Sequence, residues 1–280
     1  MQIINTTSEI YKLCQEWRMQ GQRIALVPTM GYYHAGHEEL MRYARTQADK
    51  VVVSLFVNPI QFAPGEDLAA YPRDLDSDAA KAAALGVDVL FAPQPEEMYA
   101  PDQATVVSVP ALSTGLCGLT RPTHFQGVCT VVLKLFHLTG PHMAVFGEKD
   151  WQQLAIIRRM ARDLNVPVSV EGRPIVREDD GLALSSRNVY LTPEERRQAP
   201  EIQRGLRFAQ DMARQGERSA ALLQRTVLRR WAERLPSGRL DYLTVVDASS
   251  LEPLDEVNGN ALMACAVRMG KARLIDNILL

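Results

Sequence analysis

The feature that most constrains this chain is an alternation. Short apolar runs at 23–28 (RIALVP), 51–57 (VVVSLFV), 87–92 (VDVLFA) and 142–146 (HMAVF) have the look of strands buried on both faces. Between them lie segments with helical spacing. Residues 7–20 carry Ile10, Leu13, Cys14 and Trp17 on one face, with Ser8 as a candidate cap and Gly21 as the stop. Helices are also predicted over 36–48, 74–85, 125–138 and 151–164, and a further strand over 166–170. Strand, helix and strand in turn imply an α/β fold, a Rossmann-like parallel sheet covered by helices on both faces. From Pro193 the character changes. Residues 194–234 are helical and rich in Arg and Glu, and strands are predicted at 242–246 and 261–267. Helices followed by strands suit a smaller α+β unit. The polar REDDG stretch at 177–181 marks the boundary, giving units 1–176 and 177–280.

Composition narrows the partners. The 280 residues hold 31 Lys+Arg and 33 Asp+Glu, a formal net charge of −2. Such a chain has no global field to draw it onto nucleic acid or an anionic membrane. The most apolar stretch, 127–140, is too short for a membrane span, and Lys134 interrupts it. The N-terminus has neither a basic nor a long apolar leader segment. Cysteines 14, 117, 129 and 265 have no metal or redox spacing and are expected as free thiols. Together these point to a cytoplasmic protein.

The leading motif is PTMGYYHAGH at 28–37, between the first strand and its helix. In an open parallel sheet ligands bind beyond such a strand end. Gly31 permits an unusual backbone conformation, and Gly36 permits close approach at the helix start. A helix N-terminus offers unpaired N–H groups to phosphate. His34 and His37, three residues apart, can donate to phosphate oxygens as charge develops. The alternatives are two surface histidines or a metal pair, and no third ligand sits nearby. GEKD at 147–150 follows another strand: Lys149 suits a triphosphate, Asp150 a ribose or a metal, or else a plain helix cap. LSSRN at 184–188 suits a phosphate-closing loop, or a Ser-rich cap. In VNPIQF (57–62), Asn58 and Gln61 suit a polar acid, although Asn-Pro also marks an ordinary turn. In RPTHFQG (121–127), Arg121 could hold an anion and His124 a polar group, or the segment simply opens a helix.

The histidine turn and the Ser-Ser-Arg loop resemble the HIGH and KMSKS signatures of the nucleotidyltransferase superfamily. PTMGYYHAGH, VNPIQF, YPRDLDSD, RPTHFQGV, VFGEKDWQQL and DGLALSSRN stand in the order and spacing of the pantoate–β-alanine ligase family, over most of residues 20–195. The resemblance implies an ATP-dependent ligase. Pantoate carboxylate attacks the α-phosphate of ATP, and β-alanine then displaces AMP from the pantoyl adenylate. It implies Mg²⁺ with the ATP, small-molecule partners only and a homodimer. It assigns ATP to Met30, Gly31, Tyr32, Tyr33, His34, Ala35, Gly36 and His37, to Gly147, Glu148, Lys149 and Asp150, and to Val176, Leu184, Ser185, Ser186 and Arg187. His37, His34 and Lys149 become the catalytic set. His37 matches the family's proton donor, yet pyrophosphate leaves without a strong acid, so electrostatic stabilisation is the better reading. Gln61 and Gln153 match the pantoate ligands, with Gln61 also bordering β-alanine. Asn58, Arg121 and His124 follow as further candidates, and no direct side-chain ligand to a metal is predicted.

Some positions depart from the family pattern. Glu38-Glu39 follow the histidine turn, and Glu38 would repel phosphate unless it points outward. Thr123 replaces a usual glycine beside His124. The Ser-Ser-Arg loop lacks the synthetase lysines, so Lys149 and Arg187 must supply the cationic charge. A transferase that adenylylates another small acid or a phosphate ester is the alternative, and one that adenylylates a phosphate ester and stops there would lack the VNPIQF segment and the second glutamine. An RNA-binding synthetase fragment would show a basic appendage. A purely regulatory nucleotide-binding protein would not need both histidines.

Overall fold

A computed structural model describes residues 1–63, 65–66 and 68–280. The first unit is built on strands β1 (Gln2–Ile4), β2 (Ile24–Thr29), β3 (Lys50–Leu55), β4 (Val89–Phe91), β5 (Met143–Gly147) and β6 (Ser169–Arg173). They form one sheet in the order β1-β4-β3-β2-β5-β6, with every pairing parallel. The helices between them are α1 (Thr7–Met19), α2 (Ala35–Gln47), α3 (Leu75–Ala84), α4 (Pro95–Met98), α5 (Pro110–Ser113), α6 (Cys117–Thr120), α7 (His124–Thr139) and α8 (Trp151–Asp163). Successive strand residues point to opposite faces. Ile24 and Leu26 of β2 join a core with α1, α7 and α8, whereas Ala25 and Val27 join a second core with α2 and α3. Helices therefore cover both faces, as the apolar runs require.

The order places the topological switch between β2 and β5. Strands β2 and β5 pair side by side, Ala25 with Met143 and Leu26 with Ala144. Their carboxyl ends carry the histidine turn and the GEKD turn, and a ligand crevice is expected at that point of an open sheet.

The second unit contains α9 (Pro193–Gln198), α10 (Glu201–Arg214), α11 (Ala220–Arg234) and strands β7 (Gly238–Asp247), β8 (Ala261–Met269) and β9 (Ala272–Leu279). The strands form an antiparallel sheet in the order β7-β8-β9. One face of it builds a third core with α10 and α11. Residues on the other, such as Val246, Leu262 and Ala264, join the core of the first unit, so the two units are packed together.

Several local readings are corrected. Thr6, not Ser8, caps α1, its side chain accepting from the Glu9 N–H. Strand β6 lies three residues later than 166–170, because pairing with β5 sets its register and Pro167 has no N–H to contribute. Strands β1 and β9 carry no sequence signal strong enough to predict them. The four cysteines are free and buried. Among the described residues no helix is long and apolar enough to cross a membrane.

Candidate active site

The histidine turn is a capping box made of two imidazoles. His34 is the N-cap of α2, and its Nδ1 accepts the Gly36 N–H at 3.1 Å. The His34 N–H in turn donates to His37 Nδ1 at 3.3 Å. Neutral imidazole has one donor and one acceptor nitrogen. With both Nδ1 atoms accepting, each ring carries its proton on Nε2. The ring centroids lie 4.2 Å apart. Burial, then the charges of Lys149 and Lys81, lower the His34 pKa to about 4. Burial, the neighbouring His34 and the same lysines lower that of His37 to about 3. Both rings are neutral hydrogen-bond donors at pH 7. Gly36 makes this possible: a Cβ there would lie 2.8 Å from the His34 ring.

The turn is held by a residue for which the sequence suggested no role. Asp78 on α3 is 1% exposed and accepts the N–H groups of Tyr32 at 2.6 Å and Tyr33 at 2.7 Å. Lys81 Nζ donates to the Tyr33 carbonyl at 2.7 Å. Gly31 has φ +90° and Tyr32 φ 56°, left-handed values that Asp78 holds in place. Burial raises the Asp78 pKa, against the two N–H groups that favour its charged form.

Two cavities meet behind the turn. One, of about 240 Å³, is lined by His34, Gly36, Gly147, Lys149, Asp150, Val176 and 184–187. The other, of about 180 Å³, is lined by Ser54, Asn58, Gln61 and Tyr71, with an apolar wall from Phe56, Val128, Val131, Val132 and Leu135. Pro28, Met30, His37, Phe146 and Gln153 border both. A larger cleft of about 450 Å³ beside 177–181 is lined by none of the predicted site residues.

The cationic side gathers at the first cavity. Burial and the neighbouring Arg187 lower the Lys149 pKa to about 8, which leaves it mostly charged at pH 7. Asp150 caps α8, accepting the Gln153 N–H at 3.1 Å, so its helix-cap reading holds while it also borders the cavity. Ser185 caps the following turn through the Arg187 N–H, and Ser186 Oγ lies 3.3 Å from the Tyr71 hydroxyl.

The other predicted residues divide by direction. Gly31, Tyr32, Tyr33, Ala35 and Glu148 do not line the cavities; Tyr33 is buried in the core. Asn58 borders the second cavity, but its amide donates to Gln61 Oε1 and the Gly127 carbonyl and accepts from the Tyr99 hydroxyl. Arg121 binds both oxygens of Glu66, at 2.7 and 2.8 Å. Burial alone would raise the Glu66 carboxyl, yet this guanidinium holds it below its ordinary range. His124 lies 3.0 Å from the Gln61 carbonyl, and burial and Arg121 lower its pKa to about 4. These three residues support Gln61, whose Nε2 reaches Met30 Sδ at 3.0 Å. Gly127 lets α7 approach: a Cβ there would lie 2.6 Å from the Gln61 backbone. Glu38 turns to Arg42 at 2.8 Å, which resolves its expected repulsion.

Comparison with known proteins agrees with this geometry. A family model described as pantoate-beta-alanine ligase matches residues 2–279. The pantothenate synthetase of Desulfovibrio desulfuricans is 67% identical over 280 residues, covering all of this chain and 99% of the relative. A crystal structure of pantothenate synthetase from Thermus thermophilus superposes with a TM-score of 0.94 at 47% identity, covering 100% of this chain and 99% of the other. The pantoate-beta-alanine ligase of Francisella tularensis, complexed with beta-gamma ATP and beta-alanine, gives 0.82 at 32% identity, covering 100% and 97%. The chain belongs to the pantoate–β-alanine ligase family.

Proposed function

We propose that the chain condenses (R)-pantoate with β-alanine in an ATP-dependent reaction that passes through a pantoyl adenylate. The observation that carries this is the pair of cavities meeting at Met30, His37 and Gln153, one rimmed by cations and hydroxyls, the other by neutral amides and an apolar wall. A triphosphate suits the first, and a branched hydroxy acid suits the second. The carboxylate oxygen of pantoate forms a bond to the α-phosphorus as the bond to pyrophosphate breaks. The amine of β-alanine then bonds to the acyl carbon, the bond to AMP breaks, and the amine proton leaves to solvent.

Residue roles follow from chemistry. His34 and His37 present Nε2–H to the oxygens on which charge builds, and act as fixed dipoles rather than acids. Lys149 and Arg187 offset the pyrophosphate charge, and Ser185 and Ser186 donate to it. Gln61 and Gln153 orient pantoate, with Gln61 also beside β-alanine. Among the described residues no three His, Cys, Asp or Glu side chains converge on one point. Mg²⁺ would enter with the nucleotide as part of the substrate, as the family resemblance implies. Residues 177–280 serve as a lid, supported by the Tyr71–Ser186 contact and the Tyr190 hydroxyl on the Ala70 carbonyl at 3.1 Å. Enclosure protects the mixed anhydride from water. The family resemblance supports a homodimer.

The test is AMP release with ATP, Mg²⁺ and pantoate, with and without β-alanine. AMP and pantothenate only when β-alanine is present is the expected result. Pyrophosphate release with pantoate and no product with β-alanine would assign a different acceptor amine. No release in either case from folded protein would overturn the proposal.

A further inference from the structure

Strand β9 passes both cation-bearing loops of the larger active-site cavity, and residues 275–277 are shared between them. Ile275 forms part of the cavity wall. Asp276 is 4% exposed and binds both ends of the Arg177 guanidinium, at 2.7 and 2.9 Å. Arg177 also donates to the Gly181 carbonyl at 3.1 Å, so this pair fixes the root of the serine loop. Asn277 serves the lysine turn. Its Nδ2 donates to the carbonyls of Glu148 at 2.9 Å and Lys149 at 3.0 Å.

Asn277 is 6% exposed, on a strand whose cross-strand partner at this position is Ala264. A buried amide in such a place needs partners. These two carbonyls lie in the single 3-10 turn, Glu148–Asp150, between β5 and α8. Gly147, at the head of that turn, has no side chain with which to cap it. The direction of the Lys149 side chain follows its own backbone, and that backbone is clamped from the second unit.

We propose that Asn277 is a positioning residue for adenylation: its clamp on Glu148 and Lys149 sets where the Lys149 ammonium meets the nucleotide phosphates, relative to the serine loop held through Asp276. This inference rests on the reading of the site given above. A misplacement of about 1 Å at a reacting centre can lower a rate by about 10²-fold.

The test uses the full chain and separates the half-reactions. N277D keeps the side-chain volume but sets an acceptor against two carbonyls. It should lower kcat/KM for ATP in pyrophosphate release by roughly 30–100-fold. Conversion of preformed pantoyl adenylate and β-alanine to pantothenate, which needs no grip on pyrophosphate, should stay within about threefold. In a K149A background N277D should lower adenylation by less than about threefold, because the group it positions is gone. N277S, which keeps one donor, gives a milder version of the same split should N277D unfold. Retained ATP kcat/KM in N277D, equal loss in both half-reactions, or full multiplication with K149A would each overturn the proposal. No pyrophosphate release by the unmodified chain would remove the reading of the site itself, and that control tells the two failures apart.

Discussion

The histidine turn and the lysine turn have the same topology and opposite support. Each leaves one of two adjacent parallel strands, β2 or β5, and each runs into a helix capped by a site residue, His34 or Asp150. The histidine turn is held from within its own unit, by Asp78 and Lys81 of α3, across 45 to 48 residues of chain. The lysine turn is held by Asn277, across 128 and 129 residues, from the last strand of the second unit. Closing a longer loop loses more chain entropy, so the contact that holds the lysine turn is the costlier one to close. The difference teaches that the neutral donor half of the site is braced from within the parallel-sheet unit, whereas the cationic half is braced from the second unit.

The largest expected effect lies on the neutral side. If His37 acts as a fixed Nε2–H donor, H37A should lower the adenylation rate by about 10²–10³-fold. H37Q, which restores a neutral donor without an acid, should recover part of that loss. Single-turnover measurement of pyrophosphate release compares the two. Equal loss in both variants would mean that His37 must deliver a proton, and the contrast between a dipolar and a cationic half would break.

Next in size is the support itself. D78A leaves two backbone N–H groups unpaired in a site that is 1% exposed. Each such orphan is worth about 1–3 kcal/mol, so a loss of about 2–6 kcal/mol of stability is expected, together with slower adenylation. Denaturant unfolding measures the first. N277S, which keeps one donor for the two carbonyls, should lose less in the same measurement. A D78A variant with unaltered stability would show that the histidine turn, too, is held from elsewhere.

How much of this was legible follows the same divide. The histidine turn reads from sequence because its chemistry is contiguous: Gly31, His34, Gly36 and His37 lie within seven residues. The alternation gave the sheet because strands buried on both faces are apolar throughout. Asp78 stood in a conspicuous segment, YPRDLDSD, but its partners are distant backbone N–H groups, which no spacing rule reveals. Asn277 lies in ARLIDNIL, where a buried Asp-Asn pair interrupts the apolar pattern that would have announced a strand. That interruption was the available signal. Asn58, Arg121 and His124 had the right chemical type for ligands. Their side chains also contact Gln61, and such tertiary partners are not displayed by the sequence.

The pH dependence sharpens the comparison further. A lysine with a pKa of about 8 is roughly 10% protonated at pH 9. The kcat/KM for ATP in adenylation should therefore fall about tenfold between pH 7 and 9. K149R should abolish that limb, since arginine stays charged. The histidines, at about 4 and about 3, should leave the profile flat from pH 5.5 to 7.5. Their folded pKa values lie below the unfolded value of about 6.5, so the unfolded state binds their protons more readily. Stability from this source is full above about pH 6.5 and falls as pH drops toward 4. An acid limb near pH 6.5 in adenylation would contradict the burial of both rings.

The smallest expected effect is at Glu38, one residue beyond His37. A carboxylate there could oppose nucleotide phosphate. It pairs with Arg42 at 2.8 Å, on the helix surface and four residues on, and it sits in the first turn, where the helix dipole favours negative charge. The pair contributes about 0.3–0.5 kcal/mol at such an exposed site. E38Q should therefore shift stability by no more than about 0.5 kcal/mol and KM for ATP by less than about twofold. A fall in KM of fivefold or more would mean that the Glu38 charge reaches the cavity despite Arg42. The histidine turn would then balance an opposing charge, and its neutral donors alone would no longer account for how it holds phosphate.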